Sequence, residues 1–128
     1  MTMAEYAGPM TIGEFIDRLE RAPVDYHVVF DFGRLAPTRI KSWRGIYAEA
    51  AIGYAEAGPP TVRELLLELY GSVDGRTYRG YKGGEYSFDR NTPLHVDNYG
   101  EYSHTEIADV RIGNYDVMLV TTNSELFE

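Results

Sequence analysis

Apolar positions along the chain keep to two rhythms, and both occur twice in the same order. Ile12, Phe15, Ile16 and Leu19 recur at the spacing of one helix face. Thr11 and Glu14 form a capping box ahead of them, in which hydroxyl and carboxylate satisfy free N–H groups of the first turn. Pro23 closes the segment. The grammar returns at residue 61, where Thr61 and Glu64 precede Val62, Leu65, Leu66 and Leu69. Gly58-Pro59-Pro60 punctuates the approach, and Gly71 marks the expected end.

Alternating stretches follow each predicted helix. They predict strands over Tyr26–Phe32, Arg39–Trp43 and Ile46–Tyr54, then over Leu94–Tyr99, Glu106–Ile112 and Tyr115–Thr122. Sliding 29–52 onto 96–119 without a gap aligns Val29 with Val96, Gly33 with Gly100, Thr38 with Thr105, Ile40 with Ile107 and Arg44 with Arg111. The pattern predicts two diverged units, 11–57 and 58–122, behind a patternless tail at 1–10. The second unit carries an insertion at 75–91, where Tyr78, Tyr81, Tyr86 and Phe88 surround Lys82-Gly83-Gly84-Glu85, a hairpin signature. The expected fold is a single α+β domain over 11–128. Two helices cover one face of a sheet of short antiparallel strands.

The chain's 128 residues suit one domain. With no cysteine, disulfides, zinc knuckles and thiol nucleophiles drop out. A formal charge of −8 argues against general nucleic-acid binding, which needs clustered cations. It fits a basic protein partner, or plain solubility. The N-terminus lacks a signal peptide's order of basic then apolar residues, and runs such as Val117–Val120 are too short for a membrane span. The expectation is a cytoplasmic protein with no membrane partner.

Four groups of residues could carry chemistry. Asp31-Phe32-Gly33 and Asn98-Tyr99-Gly100 each end a strand, where glycine ordinarily supplies a left-handed turn. Ser42-Trp43-Arg44-Gly45, with Arg111, sets the single tryptophan beside cations and near Tyr47 and Tyr54, a composition able to hold a planar anion such as a nucleotide. Equally, Trp43 is core and Arg44 pairs with Glu49 or Asp116. The insertion sets Arg76, Arg79, Lys82 and Arg90 against Glu85 and Asp89, a basic, tyrosine-rich element on an acidic body. Tyr78, Tyr81, Lys82 and Tyr86 would be its contact residues, unless the tyrosines simply pack on the sheet. Finally, His95, Asp97, Glu101 and His104 form a polar group, with Val28, Phe30 and Pro37 of the first unit at the places of His95, Asp97 and His104, but show no recognised metal-ligand spacing. Phosphate-loop, serine-hydrolase, zinc-protease and dinucleotide motifs are absent from the sequence, so no cofactor, metal or catalytic residue is implied.

Ser42-Trp43-Arg44-Gly45, Tyr81-Lys82-Gly83-Gly84-Glu85-Tyr86 and Thr92-Pro93-Leu94-His95-Val96-Asp97-Asn98 together resemble small accessory proteins of tailed phages and prophages of high-GC bacteria. The likeness begins near Met10-Thr11-Ile12-Gly13-Glu14 and brings no activity or catalytic residues. It implies a protein working in the host cytoplasm. The leading expectation is an inhibitor that binds a host defence protein stoichiometrically through the acidic body and the hairpin residues Tyr78, Tyr81, Lys82 and Tyr86, while Trp43, Arg44 and Arg111, with hairpin residues, would serve a nucleotide ligand. A sponge for a nucleotide second messenger is the second reading, and a small nucleotide hydrolase the third. A homo-oligomer is compatible with each.

Overall fold

The computed structural model describes residues 9–43, 46–79, 84–97 and 106–122, with the backbone alone at Trp43, Ile46 and Tyr47. Both capping boxes form. Helix α1 (Ile12–Leu19) starts where the Thr11 hydroxyl accepts from the Glu14 amide at 3.1 Å and the Glu14 carboxylate accepts from the Thr11 amide at 2.9 Å. Helix α2 (Val62–Val73) starts identically at Thr61 and Glu64. All eight apolar residues expected to face the core are buried. Helix α2 runs through Gly71 instead of stopping before it. The Arg76 guanidinium lies over Gly71 where a β-carbon would stand.

The strands are β1 (His27–Phe30), β2 (Ala36–Trp43), β3 (Ile46–Ala55), β4 (Tyr78–Arg79), β5 (Glu85–Tyr86), β6 (Leu94–Val96), β7 (Ile107–Ile112) and β8 (Asp116–Thr121). They form two three-stranded sheets, β1-β8-β7 and β2-β3-β6, and the short pair β4-β5. Alternation sends Val28 and Phe30, Ala50 and Ile52, Leu94 and Val96, and Val117 and Leu119 into a common core with both helices. The fold is α+β, with helices packed on sheets.

The sheets are mixed rather than wholly antiparallel. Strands β2 and β3 pair antiparallel, as do β7 and β8, but β1 runs parallel to β8 and β3 parallel to β6. Parallel neighbours need a long crossover, and the stretch containing α2 supplies it between β3 and β6. Each half therefore lends its first strand to the other half's hairpin.

The helices follow the same exchange. At α1, the amides of Ile12 and Gly13 donate to the carbonyls of Thr92 and Arg90, both at 2.9 Å. At α2, the amides of Val62 and Arg63 donate to Tyr26 and Val24 at 2.8 and 3.0 Å. Beyond the parallel ladders, Asp31 N donates to Leu119 O at 3.0 Å, and Asp97 N to Ile52 O at 2.9 Å.

This correspondence revises the gapless alignment. Val28-Val29-Phe30 matches Leu94-His95-Val96, so Val29 stands opposite His95 in the comparison rather than Val96. Lys41 lies across from Ala51 as Arg111 lies across from Met118, so Arg111 takes the place of Lys41 and not of Arg44. The cause is physical. Bulges between Pro37 and Ile40 and between Ile107 and Asp109 fall at matching places and cancel, so the misalignment comes from connections of unequal length, such as those from Phe30 to Ala36 and from Val96 to Ile107, which a gapless slide cannot follow.

The two sheets also meet at their edges. Phe30 N donates to Leu35 O at 2.9 Å, joining β1 to the entry of β2. An isolated antiparallel bridge between His95 and Glu106 joins β6 to the head of β7. The strands thus follow one circuit, β1-β8-β7-β6-β3-β2. Among the described residues no helix is long and apolar enough to cross a membrane.

Candidate functional site

The insertion is fastened at both ends. Arg76 Nη1 donates to Glu68 Oε2 at 3.0 Å and to the Tyr78 hydroxyl at 3.2 Å. Arg90 Nη2 donates to Asp17 Oδ1 at 2.9 Å and to Gly13 O at 3.4 Å. Tyr78 and Tyr86 stack at 5.3 Å between ring centroids, and each contacts the buried Phe88. Burial pushes the Tyr78 phenol above its usual range, against the opposing pull of Arg76. These tyrosines pack on the body, and two of the insertion's four cations serve as anchors. Tyr81 and Lys82 lie outside the described residues.

The tryptophan group is not assembled by the described strands. Trp43 ends β2, whereas Arg111 lies on β7, with β3 and β6 between them in the circuit. Arg111 is exposed, its Nε 3.4 Å from Asp109 Oδ2. Arg44 lies outside the described residues. Its two expected partners are engaged elsewhere: Glu49 with His95, and Asp116 with Arg34 at 3.0 Å.

Gly33 adopts the left-handed backbone expected of it, with φ of 63°, and Arg34 follows at 50°. Together they centre a turn closed from Leu35 N to Phe32 O at 3.3 Å. Asp31 reaches across to β8 instead of bonding this turn. Its carboxylate accepts from Thr121 N at 3.1 Å and from Thr121 Oγ1 at 2.9 Å. Asn98, Tyr99 and Gly100 lie outside the described residues.

Polar side chains gather in one buried place, on the face of β2-β3-β6 turned away from the core. His95 Nε2 is 2.6 Å from Glu49 Oε1, and its Nδ1 is 3.6 Å from Glu106 Oε2. Beside them, Lys41 Nζ pairs with Asp97 Oδ2 at 2.8 Å. His95, Asp97 and Glu106 are buried, while Glu49 and Lys41 carry the cluster towards solvent. Burial raises the Glu106 carboxyl above the ordinary carboxylate range. The two nitrogens of His95 face different carboxylates, Glu49 within hydrogen-bond distance and Glu106 beyond it. Among the described residues no three metal-ligating side chains are placed to hold a metal. His104 and Glu101, the other members of the expected polar group, lie outside the described residues.

The fold itself does not require this polarity. Val29 occupies the counterpart of His95 and Ala36 that of Glu106, because Ala36 faces Ala55 as Glu106 faces Thr122. Both are buried as deeply as the polar pair. Glu49 and Glu106 were invisible as site residues from spacing alone. The available signal was a carboxylate heading an otherwise β-prone strand.

A second feature is exposed. At the turn between β7 and β8, closed from Gly113 N to Asp116 O at 2.8 Å, Tyr115 is 85% exposed and Ile112 44%. Arg111 precedes them. Tyrosine and arginine beside an aliphatic side chain are the composition of an interface hot spot. The chain matches no family model, no curated protein and no solved structure.

Proposed function

We propose that the chain acts by stoichiometric binding to a host protein, as an accessory inhibitor of a host defence process, in the setting implied by its resemblance to phage proteins. The observation that carries this reading is the tip Arg111-Ile112-Tyr115, where large apolar groups stand in water on a hairpin anchored to the core. The partner would offer an apolar pocket for Tyr115 on a basic surface, drawn by the −8 charge of this chain. The reading thus moves recognition from the tyrosines of the insertion to this tip, joined by Arg111 and, at the hairpin, Tyr81 and Lys82. The element-for-element exchange between halves supports descent from one doubled unit, which we propose as the origin of the fold.

The test is capture from host lysate followed by titration against the captured protein. Tyr115→Ala should leave the fold unchanged and weaken binding by about 2 kcal/mol, or about thirtyfold. Full affinity in that variant would remove the tip from the mechanism. A nucleotide sponge would instead release intact nucleotide on denaturation, and a hydrolase its product. The sponge has less support, since Arg111 stands two strands away from Trp43.

A further inference from the structure

We propose that the outer stripe of α2 binds a second copy of this chain, forming a two-fold dimer of antiparallel helices. Arg63, Leu67 and Tyr70, with Asp74 at the C-cap, follow one another at i, i+4, i+7 and i+11, the seam spacing of paired helices. All four are exposed, Leu67 at 62% and Tyr70 at 38%. The opposite face of α2 already buries Val62, Leu65, Leu66 and Leu69, so the core does not need the stripe. Val24 broadens its apolar part, since the Arg63 amide donates to Val24 O at 3.0 Å and that side chain is 45% exposed. The Tyr70 hydroxyl donates to Glu20 Oε2 at 2.5 Å, which fixes the ring before any contact is made. A side chain fixed in advance loses less freedom on binding.

The occupant follows from the order of charges. The stripe reads cation, leucine, tyrosine, carboxylate. Turned end for end about a point between Leu67 and Tyr70, it sets Leu67 against the partner subunit's Tyr70 and Arg63 beside the partner subunit's Asp74. Two-fold symmetry makes each contact twice. The helix dipole gives a second reason. Arg63 lies in the first turn and Asp74 at the C-cap, each at the end of α2 that disfavours its charge, and the last turn holds no basic residue. Among the described residues neither Arg63 nor Asp74 has an ion pair. Antiparallel pairing corrects both ends, bringing a cation to the C-terminus and a carboxylate to the N-terminus of each helix. A single 12-residue helix per subunit is a small interface, so the association is weak and reversible. The tip at Arg111, Ile112 and Tyr115 takes no part in this pairing, so the dimer and the host-protein contact stand or fall separately.

The experiment is sedimentation equilibrium of the full chain from micromolar to millimolar concentration. The native chain should pass from monomer to dimer within that range. Arg63→Glu and Asp74→Arg should each weaken dimerisation at least about tenfold, because each sets like charges face to face at both ends of the seam. Both changes suit the helix dipole, so a lost dimer cannot be laid to a weakened helix. Combining them in one chain restores opposite charges and should return dimerisation to within about threefold of the native chain. Mixing the two single variants should give a heterodimer tighter than either variant forms with itself. Leu67→Ala should weaken the dimer at least about tenfold, whereas Tyr115→Ala should leave it unchanged. A native chain that stays monomeric at millimolar concentration overturns the proposal. So does a dimer that survives Arg63→Glu at full strength, or a combined variant that remains monomeric.

Discussion

Glu68 links three elements that the chain brings together from separate stretches, and its removal tests how the bulge in β2 is supported. The Ile40 amide stands at the end of the register shift that begins at Pro37, on the edge strand of its sheet. That amide donates to Glu68 Oε2 at 2.9 Å, and the same oxygen accepts from Arg76 at 3.0 Å. Glu68→Ala leaves a part-buried donor without an acceptor, a loss of about 1–3 kcal/mol. It also removes an ion pair whose side chains are 38% and 22% exposed, which adds at most about 1 kcal/mol after screening. The expected total is about 1–4 kcal/mol. Glu68→Gln keeps an oxygen for the amide and loses only the charge, so it should cost less than about 1 kcal/mol. Urea melts with unchanged m-values measure both differences. Equal losses in the two variants would refute the reasoning, because the acceptor and not the charge is held to matter.

Other outcomes follow from the same contacts. Leu66→Ala should cost about 2–5 kcal/mol in a denaturant melt, and a loss below about half a kcal/mol would put the buried face of α2 in doubt. Gly71→Ala should keep part of the about 0.5–1 kcal/mol that the change gains in a helix, since the new methyl displaces only the free end of the Arg76 side chain, and a loss of stability in the same melt would contradict this. Burial raises the Glu106 carboxyl, so its favourable contribution is full below the unfolded value and fades as pH climbs through the folded one. Glu106→Gln, which stays neutral, should therefore gain on the native chain between about pH 4 and 6, below the main titration of imidazole. A constant stability difference over that interval would contradict the sign.

Local signals survived translation into structure, and long-range ones did not. Thr11 with Glu14 and Thr61 with Glu64 are legible because a capping box is complete within four residues. The helix faces are legible for the same reason. Strand alternation reports that Val28 and Phe30 share a face, but it cannot say that their neighbour is β8 or that the pair runs parallel. Unequal connections are silent to a gapless slide, which is why it pairs Arg111 with Arg44 and not with Lys41. The odd polarity of His95 and Asp97 was readable, but Glu49 and Glu106 join them only through the pairing of β3, β6 and β7. Tyr115 reads as a strand residue because it lies one position before β8, inside the turn that exposes it.

The loan of first strands between halves has a consequence for the order in which the chain can fold. The contact between Asp31, just past β1, and Thr121 at the end of β8 spans 90 residues of the 128. Contacts of such sequence separation are slow to form, because loop closure must precede the gain from pairing. During synthesis, β1 emerges early and has no parallel partner strand until almost the whole chain has been made. The hairpin of β2 and β3 can form in the meantime, but it too waits for β6 to complete its sheet. A chain cut before β8 would leave Val28 and Phe30 on an open strand edge, a template for aggregation. The same interleaving should make unfolding all-or-none, since neither half holds a sheet of its own to fall back on.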